Sequence, residues 1–264
     1  MRRLLFLLAL ILLVLACSGG DTTSDGVASS EAGSPTAATV EPATSEPWDL
    51  VFFSDSSGRG VANAWAEQIQ EEVGVAVRVH DYAQGGLPAA TILDRLNDED
   101  PALRELIAEA EIFVVNGNPR ASGSETDVER CVTGIASPPR HYDEEDFAGY
   151  EAVLVDIYEV ILDQRACQPT MVRALDLYNG RVADWELAGI ETECSAAWEA
   201  FTAATHRAAA QFDIPTAAVA VAFMGPGFDE DARAKGLIGT DGLHATAEGG
   251  AVILPAKAPD CTHD

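Results

Sequence analysis

Apolar positions along this chain follow two periods that take turns. Asp49 to Asp55 is a short continuous apolar run closed by polar residues, which predicts a strand buried on both faces. Val61, Trp65, Ile69 and Val73 then recur at spacing four, one stripe of a helix that Gly74 stops. Val75, Val77 and Val79 alternate with Ala76, Arg78 and His80, a second strand. The turn Asp81–Pro88 leads into an expected helix over Ala89–Leu96. The Asn97–Pro101 break separates it from another over Ala102–Ala110. A third strand over Glu111–Val115 runs into Asn116–Gly117–Asn118–Pro119. Arg120 to Arg140 has no period and reads as a long loop, a length often tied to function in compact domains. A long amphipathic helix over Glu144–Arg165, a strand over Thr170–Tyr178 and an alanine-rich helix over Cys194–Phe212 come next. A fifth strand over Pro215–Phe223 and a last helix over Ala245–Leu254 complete the pattern.

Strand and helix alternating in this way predict a three-layer α/β/α sandwich on a five-stranded, mostly parallel sheet. Right-handed crossovers bring every strand's carboxyl end to one edge, where open α/β sheets bind ligands. That edge collects Ser56, Gly86, Asn118, Asn179 and the loop at Gly225.

The start of the chain breaks this pattern. Met1–Arg2–Arg3 is cationic and Leu4–Ala16 is nearly all apolar, too short for a comfortable bilayer span and flanked like a secretory signal. Val14–Leu15–Ala16–Cys17 resembles the bacterial lipobox, in which the cysteine is lipidated and becomes the mature N-terminus. Ser18 to Glu46 is rich in Ser, Thr, Ala, Gly and Pro, a composition that orders no core and reads as a disordered tether. The expected organisation is a lipoprotein signal over 1–17 with Cys17 as anchor, a tether over 18–46 and one domain over 47–264. The protein is then extracytoplasmic and touches the bacterial cell membrane through its lipid alone.

Composition narrows the function classes. Asp and Glu number 43 against 16 Lys and Arg, a formal net charge of −27 that repels phosphate backbones and disfavours nucleic-acid partners. Hydrophobic residues at 47% are enough for a core. Apart from Cys17 there remain Cys131, Cys167, Cys194 and Cys261, an even set without the C-x-x-C spacing of a zinc site, so two disulfides are expected. A Cys131–Cys167 bond would span a helix of about 20 residues, roughly 30 Å, whereas disulfide Cα atoms lie about 4.4–6.8 Å apart. The layout therefore favours Cys131–Cys194 near the carboxyl edge and Cys167–Cys261 at the opposite edge.

The candidate chemistry is Asp241–Gly242–Leu243–His244. An acid three residues before an imidazole can hold the near ring nitrogen and leave the far one free to take a proton. If its loop reaches the carboxyl edge, His244 meets Ser56, and a serine hydroxyl becomes a useful nucleophile only beside such a base. The backbone amides of Ser56 and Gly86 and the side-chain amide of Asn118 are placed to receive an oxyanion.

Together, Ser54–Asp55–Ser56, Gln84–Gly85–Gly86, Asn116–Gly117–Asn118–Pro119 and Asp241–Gly242–Leu243–His244 resemble the four blocks of the SGNH (GDSL-type) hydrolases, in order, over about Asp49 to Leu254. The resemblance implies a flavodoxin-like SGNH fold and a serine esterase for small-molecule or carbohydrate esters with short acyl groups, acetyl included. It implies Ser56 as nucleophile, His244 as base and then acid, Asp241 as its orienter, and an oxyanion hole of Ser56, Gly86 and Asn118. It implies no cofactor and no metal, and a monomer. Gly85 competes with Gly86, since the pair leaves the register open by one. Ser54 and Pro119 depart from the family's glycine and aspartate. Ser54 adds a Cβ, and Pro119 removes an amide donor and a bracing carboxylate. Those departures also fit a binding lipoprotein that lost the chemistry, and an acyltransferase would use the same residues. His80 is expected to face solvent or pack at the sheet edge, His206 to lie at the surface, and Trp185 and Trp198 to lie in the core.

Overall fold

The computed structural model of the chain describes residues 46–98, 100–119, 131 and 144–253. Within them lies a five-stranded parallel sheet: β1 (Trp48–Phe53), β2 (Val77–Asp81), β3 (Ile112–Val115), β4 (Met171–Leu175) and β5 (Thr216–Ala217). The spatial order is β2-β1-β3-β4-β5. The expected α/β sandwich is present. β1 and β3 are its floor, with Leu50 to Phe53 and Ile112 to Val115 essentially sealed from water. Sealing on both faces is why these strands read as unbroken apolar runs rather than as alternating ones.

Helices cover the sheet in two layers. α1 (Val61–Val73) and α8 (Ala247–Ile253) pack together, and α8 also meets α7 (Val219–Met224). In the other layer α4 (Ala148–Arg165) packs against α2 (Ala89–Asn97), α3 (Pro101–Glu109) and α6 (Glu191–Ala210). α3 starts where the sequence places a break, because Asp100 caps it by accepting from the Ala102 N–H and Pro101 occupies its first turn.

The expected fifth strand over Pro215–Phe223 is corrected. Only Thr216–Ala217 pair with β4, and Val219–Met224 turn into α7. The Ala/Val alternation imitates a strand, but Val219, Ala220, Phe223 and Met224 are the buried residues, which is a helical stripe. The buried Asp176 carboxylate accepts the Ala220 N–H at 2.7 Å in the first turn, anchoring a helix start from a distant strand. A short helix that the pattern did not announce, α5 (Val182–Ala188), carries the buried Trp185.

Strand order reverses at the pair β1 and β3, so this is the switch point at which open sheets bind ligands. Their register ends in step, Phe53 beside Val115, so the chains leave the sheet side by side as Ser54–Ser56 and Asn116–Asn118.

Candidate active site

After β1 the chain makes one turn of 3₁₀ helix, Ser56–Gly58, capped by Asp55. One Asp55 oxygen accepts from the Ser57 N–H at 2.8 Å and the Ser57 hydroxyl at 2.5 Å. Its other oxygen accepts from the Asn118 side-chain amide at 3.2 Å. Asp55 thus ties the Ser56 turn to the loop after β3, and the Asn116 amide adds a second tie to the Ser57 hydroxyl at 3.4 Å. Sequence reasoning quoted Asp55 only as part of a block. Its acceptor bonds to both loops give it a positioning role.

The loop after β2 joins by backbone. Leu87 N–H donates to Gln84 across a turn in which Gly86 takes φ 61°, a left-handed value that favours glycine. The Asn118 N–H donates to the Leu87 carbonyl at 3.0 Å and the Ala89 N–H to the Asn118 carbonyl at 2.9 Å. Gly117 must lack a side chain for this approach, since a Cβ there would stand 2.6 Å from that of Ala89. Gly86, not Gly85, faces the cleft.

Asp241 and His244 lie in a loop closed by the Gly239 N–H on the His244 carbonyl (2.8 Å) and the Thr246 N–H on Leu237 (2.9 Å). The His244 Nδ1 sits 2.6 Å from one Asp241 oxygen, and the other oxygen accepts the N–H groups of Leu243 and His244. The His244 and Leu243 amides, then the imidazole, hold the Asp241 carboxyl well below its ordinary value. A carboxyl depressed in this way stays ionised throughout the neutral range and is protonated only in strong acid. The His244 Nε2 is buried and has no hydrogen-bond partner among the described residues.

Ser56, Gly86, Asn118 and His244 line one cleft of about 190 Å³, so the loop of His244 does reach the edge that holds Ser56. The Ser56 hydroxyl is not bonded to the imidazole here. Asp241 stands behind His244, on the ring's far side from the open nitrogen. Pro119, Leu177, Tyr178, Asn179, Trp198 and Leu243 complete the walls. Asn179 was expected at this edge, whereas the Gly225 loop does not reach the cleft.

The segment after β4 is the support that sequence reasoning missed. Trp198, expected in the core, is buried but also walls the cleft, its indole N–H held by the Leu177 carbonyl at 2.7 Å. Asn179 donates to the Cys131 carbonyl, which also accepts from Trp185, and Cys131 is bonded to Cys194 with Cα atoms 5.4 Å apart. The disulfide therefore braces a cleft wall. Gly180 lies so close to the Asp241–His244 loop that a Cβ would be 2.7 Å from the Gly242 carbonyl oxygen. No local motif marks that contact, because it joins two loops distant in sequence.

The two departures have structural answers. Ser54 is fully buried without a positive φ, and its Cβ and hydroxyl fill the space that a side chain at Gly58 would need. At Pro119, the carboxylate that steadies the Asn118 amide comes from Asp55 instead. Cys167 is exposed and bonded to no described cysteine, while Cys261, like Cys17, lies outside the described residues. His80 pairs with Asp49 at the sheet edge as expected. His206 keeps its side chain part-exposed at the surface, as expected, and its Nε2 also contacts the fully buried Asp176 at 2.8 Å.

Comparison with solved structures finds the same fold at low identity. The lipase Lip_vut3 from a goat rumen metagenome matches with a TM-score of 0.53 and 19% identity, over 78% of this chain and 93% of that one. A variant of the acetyl xylan esterase Axe2 from Geobacillus stearothermophilus matches with 0.52 and 11% over 81% and 98%. A protein from Slackia heliotrinireducens assigned to the SGNH hydrolases matches with 0.50 and 17% over 79% and 95%. These likenesses establish the α/β fold of such hydrolases. No family model and no curated protein sequence matches the chain.

Proposed function

We propose that this protein is a serine esterase of the SGNH type, held outside the cytoplasm by lipid on Cys17, that hydrolyses esters of short acyl groups. The observation that carries the reading is the Asp241–His244 pair, with its buried, unpartnered Nε2 lining the same cleft as Ser56. An imidazole fixed on one side by a carboxylate and open on the other is a base awaiting a proton donor.

The chemistry runs through this chain's own groups. The step requires the Ser56 hydroxyl to come within hydrogen-bond reach of Nε2 across the cleft that both residues line. Nε2 takes the proton as Oγ bonds to the ester carbonyl carbon, and the negative oxygen turns toward the Ser56 and Gly86 amides and the Asn118 amide. Collapse breaks the bond to the leaving alcohol, which departs with the proton from His244. Water, deprotonated by the same nitrogen, then releases the acid and restores Ser56. Asp241, kept ionised by its backbone donors, offsets the charge on the imidazolium.

The cleft supports small acyl groups. Its roughly 190 Å³ falls below the ~300–1,000 Å³ of sites for drug-sized ligands, and Trp198 is fixed in its wall. The likeness to an acetyl xylan esterase favours an acetylated carbohydrate among the candidate substrates. The test is hydrolysis of 4-nitrophenyl acetate and 4-nitrophenyl octanoate. The wild type is expected to turn over the acetate and discriminate against the octanoate, and Ser56→Ala is expected to lose at least about 10³-fold in kcat. Equal rates in wild type and Ser56→Ala would overturn the proposal.

A further inference from the structure

A second cavity, of about 750 Å³, lies along the amino ends of β1, β3 and β4, at the edge opposite the catalytic cleft. It exists because β5 pairs only with Ala174 and Leu175, so the first half of β4 has a turn, not a strand, on its outer side. Trp48, Ile112, Met171, Phe212 and Ile214 make the lining predominantly apolar.

One residue in this lining does not fit an ordinary core. Arg173, in the middle of β4, is 7% exposed, and among the described residues its guanidinium makes no hydrogen bond and no ion pair. A buried arginine is normally paired, since leaving a charge without water or partner is costly. Arg165 shows the usual solution nearby: at 2% exposure it donates to Thr170, to the Ala108 carbonyl and to the Pro169 carbonyl. Burial alone pushes the Arg173 guanidinium below its ordinary value, with no carboxylate opposing the shift. Even so shifted, an arginine remains a cation at neutral pH.

We propose that this cavity is a second binding site, for an amphipathic carboxylate whose aliphatic tail lies on the apolar lining and whose head group pairs with Arg173. The volume is within the ~300–1,000 Å³ of small-molecule sites. A planar carboxylate matches the donor fork of a guanidinium. A singly charged head is favoured over a phosphate because Glu111 and Asp213 share the lining and repel further negative charge. Glu111 itself is engaged, accepting the Asp49 N–H at 2.8 Å. The proposal does not rest on the esterase reading, since no residue of the catalytic cleft takes part.

Isothermal titration of octanoate, 1-octanol and octylammonium into the purified full-length protein tests it. Octanoate is expected to bind one site at least about tenfold more tightly than either uncharged or cationic counterpart. Arg173→Met is expected to abolish that preference while 1-octanol binding stays within about twofold. Octanoate binding no better than 1-octanol overturns the proposal, and so does a preference that survives Arg173→Met. The three-ligand comparison needs only the wild type, so it stands even if the variant does not fold. A preference that emerges only after residues 254–264 are removed also overturns it, because the cavity would then belong to the chain's own terminus.

Discussion

At the scale of single residues, the site is arranged around two carboxylates with different tasks. Asp55 uses both oxygens to lock the Ser56 turn against the Asn118 loop, whereas Asp241 uses both to fix His244. Ser54 is the residue beside them with an unmet need: its hydroxyl is buried at 0% exposure without a partner among the described residues. An unsatisfied buried hydroxyl costs about 1–3 kcal/mol. Ser54→Ala keeps the Cβ that fits beside Gly58 and removes the hydroxyl, so the variant should be more stable by about 1 kcal/mol. Urea unfolding checks this, with 4-nitrophenyl acetate hydrolysis expected to stay close to wild type. A loss of stability would mean that the hydroxyl has a partner after all.

At the scale of elements, the Asp241–His244 loop leans on the segment after β4. Gly180 sits against Gly242 and Leu243, where a Cβ would stand 2.7 Å from a backbone oxygen and force that loop to shift. Gly180→Ala should displace His244 and lower kcat by about tenfold to a hundredfold, with KM much less affected. Steady-state kinetics separate that outcome from a general loss of folded protein. This scale also marks the limit of legibility in the sequence. β1, β3, their exit loops and the Asp241–x–x–His244 turn were readable because buried parallel strands and local capping leave marks in adjacent residues. α7 was not, since Ala-Val alternation suits either period and the deciding bond comes from Asp176, 44 positions away. The walls formed by Trp198 and Asn179 were hidden for the same reason: their roles follow from bonds to Leu177 and Cys131 across the fold.

At the scale of the whole molecule, the two ends of the sheet differ in character. The carboxyl edge carries the cleft lined by Ser56 and His244 and the Cys131–Cys194 bond. The amino edge carries Trp48, where β1 begins, and the apolar cavity with Arg173. The net charge of −27 repels anionic lipid head groups, so under the proposed lipid anchoring the attachment would rest on Cys17 rather than on the protein surface. Cys17→Ser should move the protein from the membrane fraction to the soluble fraction of a bacterial host without changing its specific activity. Fractionation and immunoblotting read this directly, and a Cys17→Ser protein still wholly in the membrane would remove the anchor from the account.

The central claim is that Ser56 is a nucleophile activated by His244. Treatment of the native protein with a fluorophosphonate, followed by peptide mass spectrometry, tests it most directly. The account predicts a single phosphonylated peptide carrying the adduct on Ser56, lost in His244→Gln and in heat-unfolded protein. An unlabelled Ser56 in folded protein, or labelling that persists undiminished in His244→Gln, would contradict it.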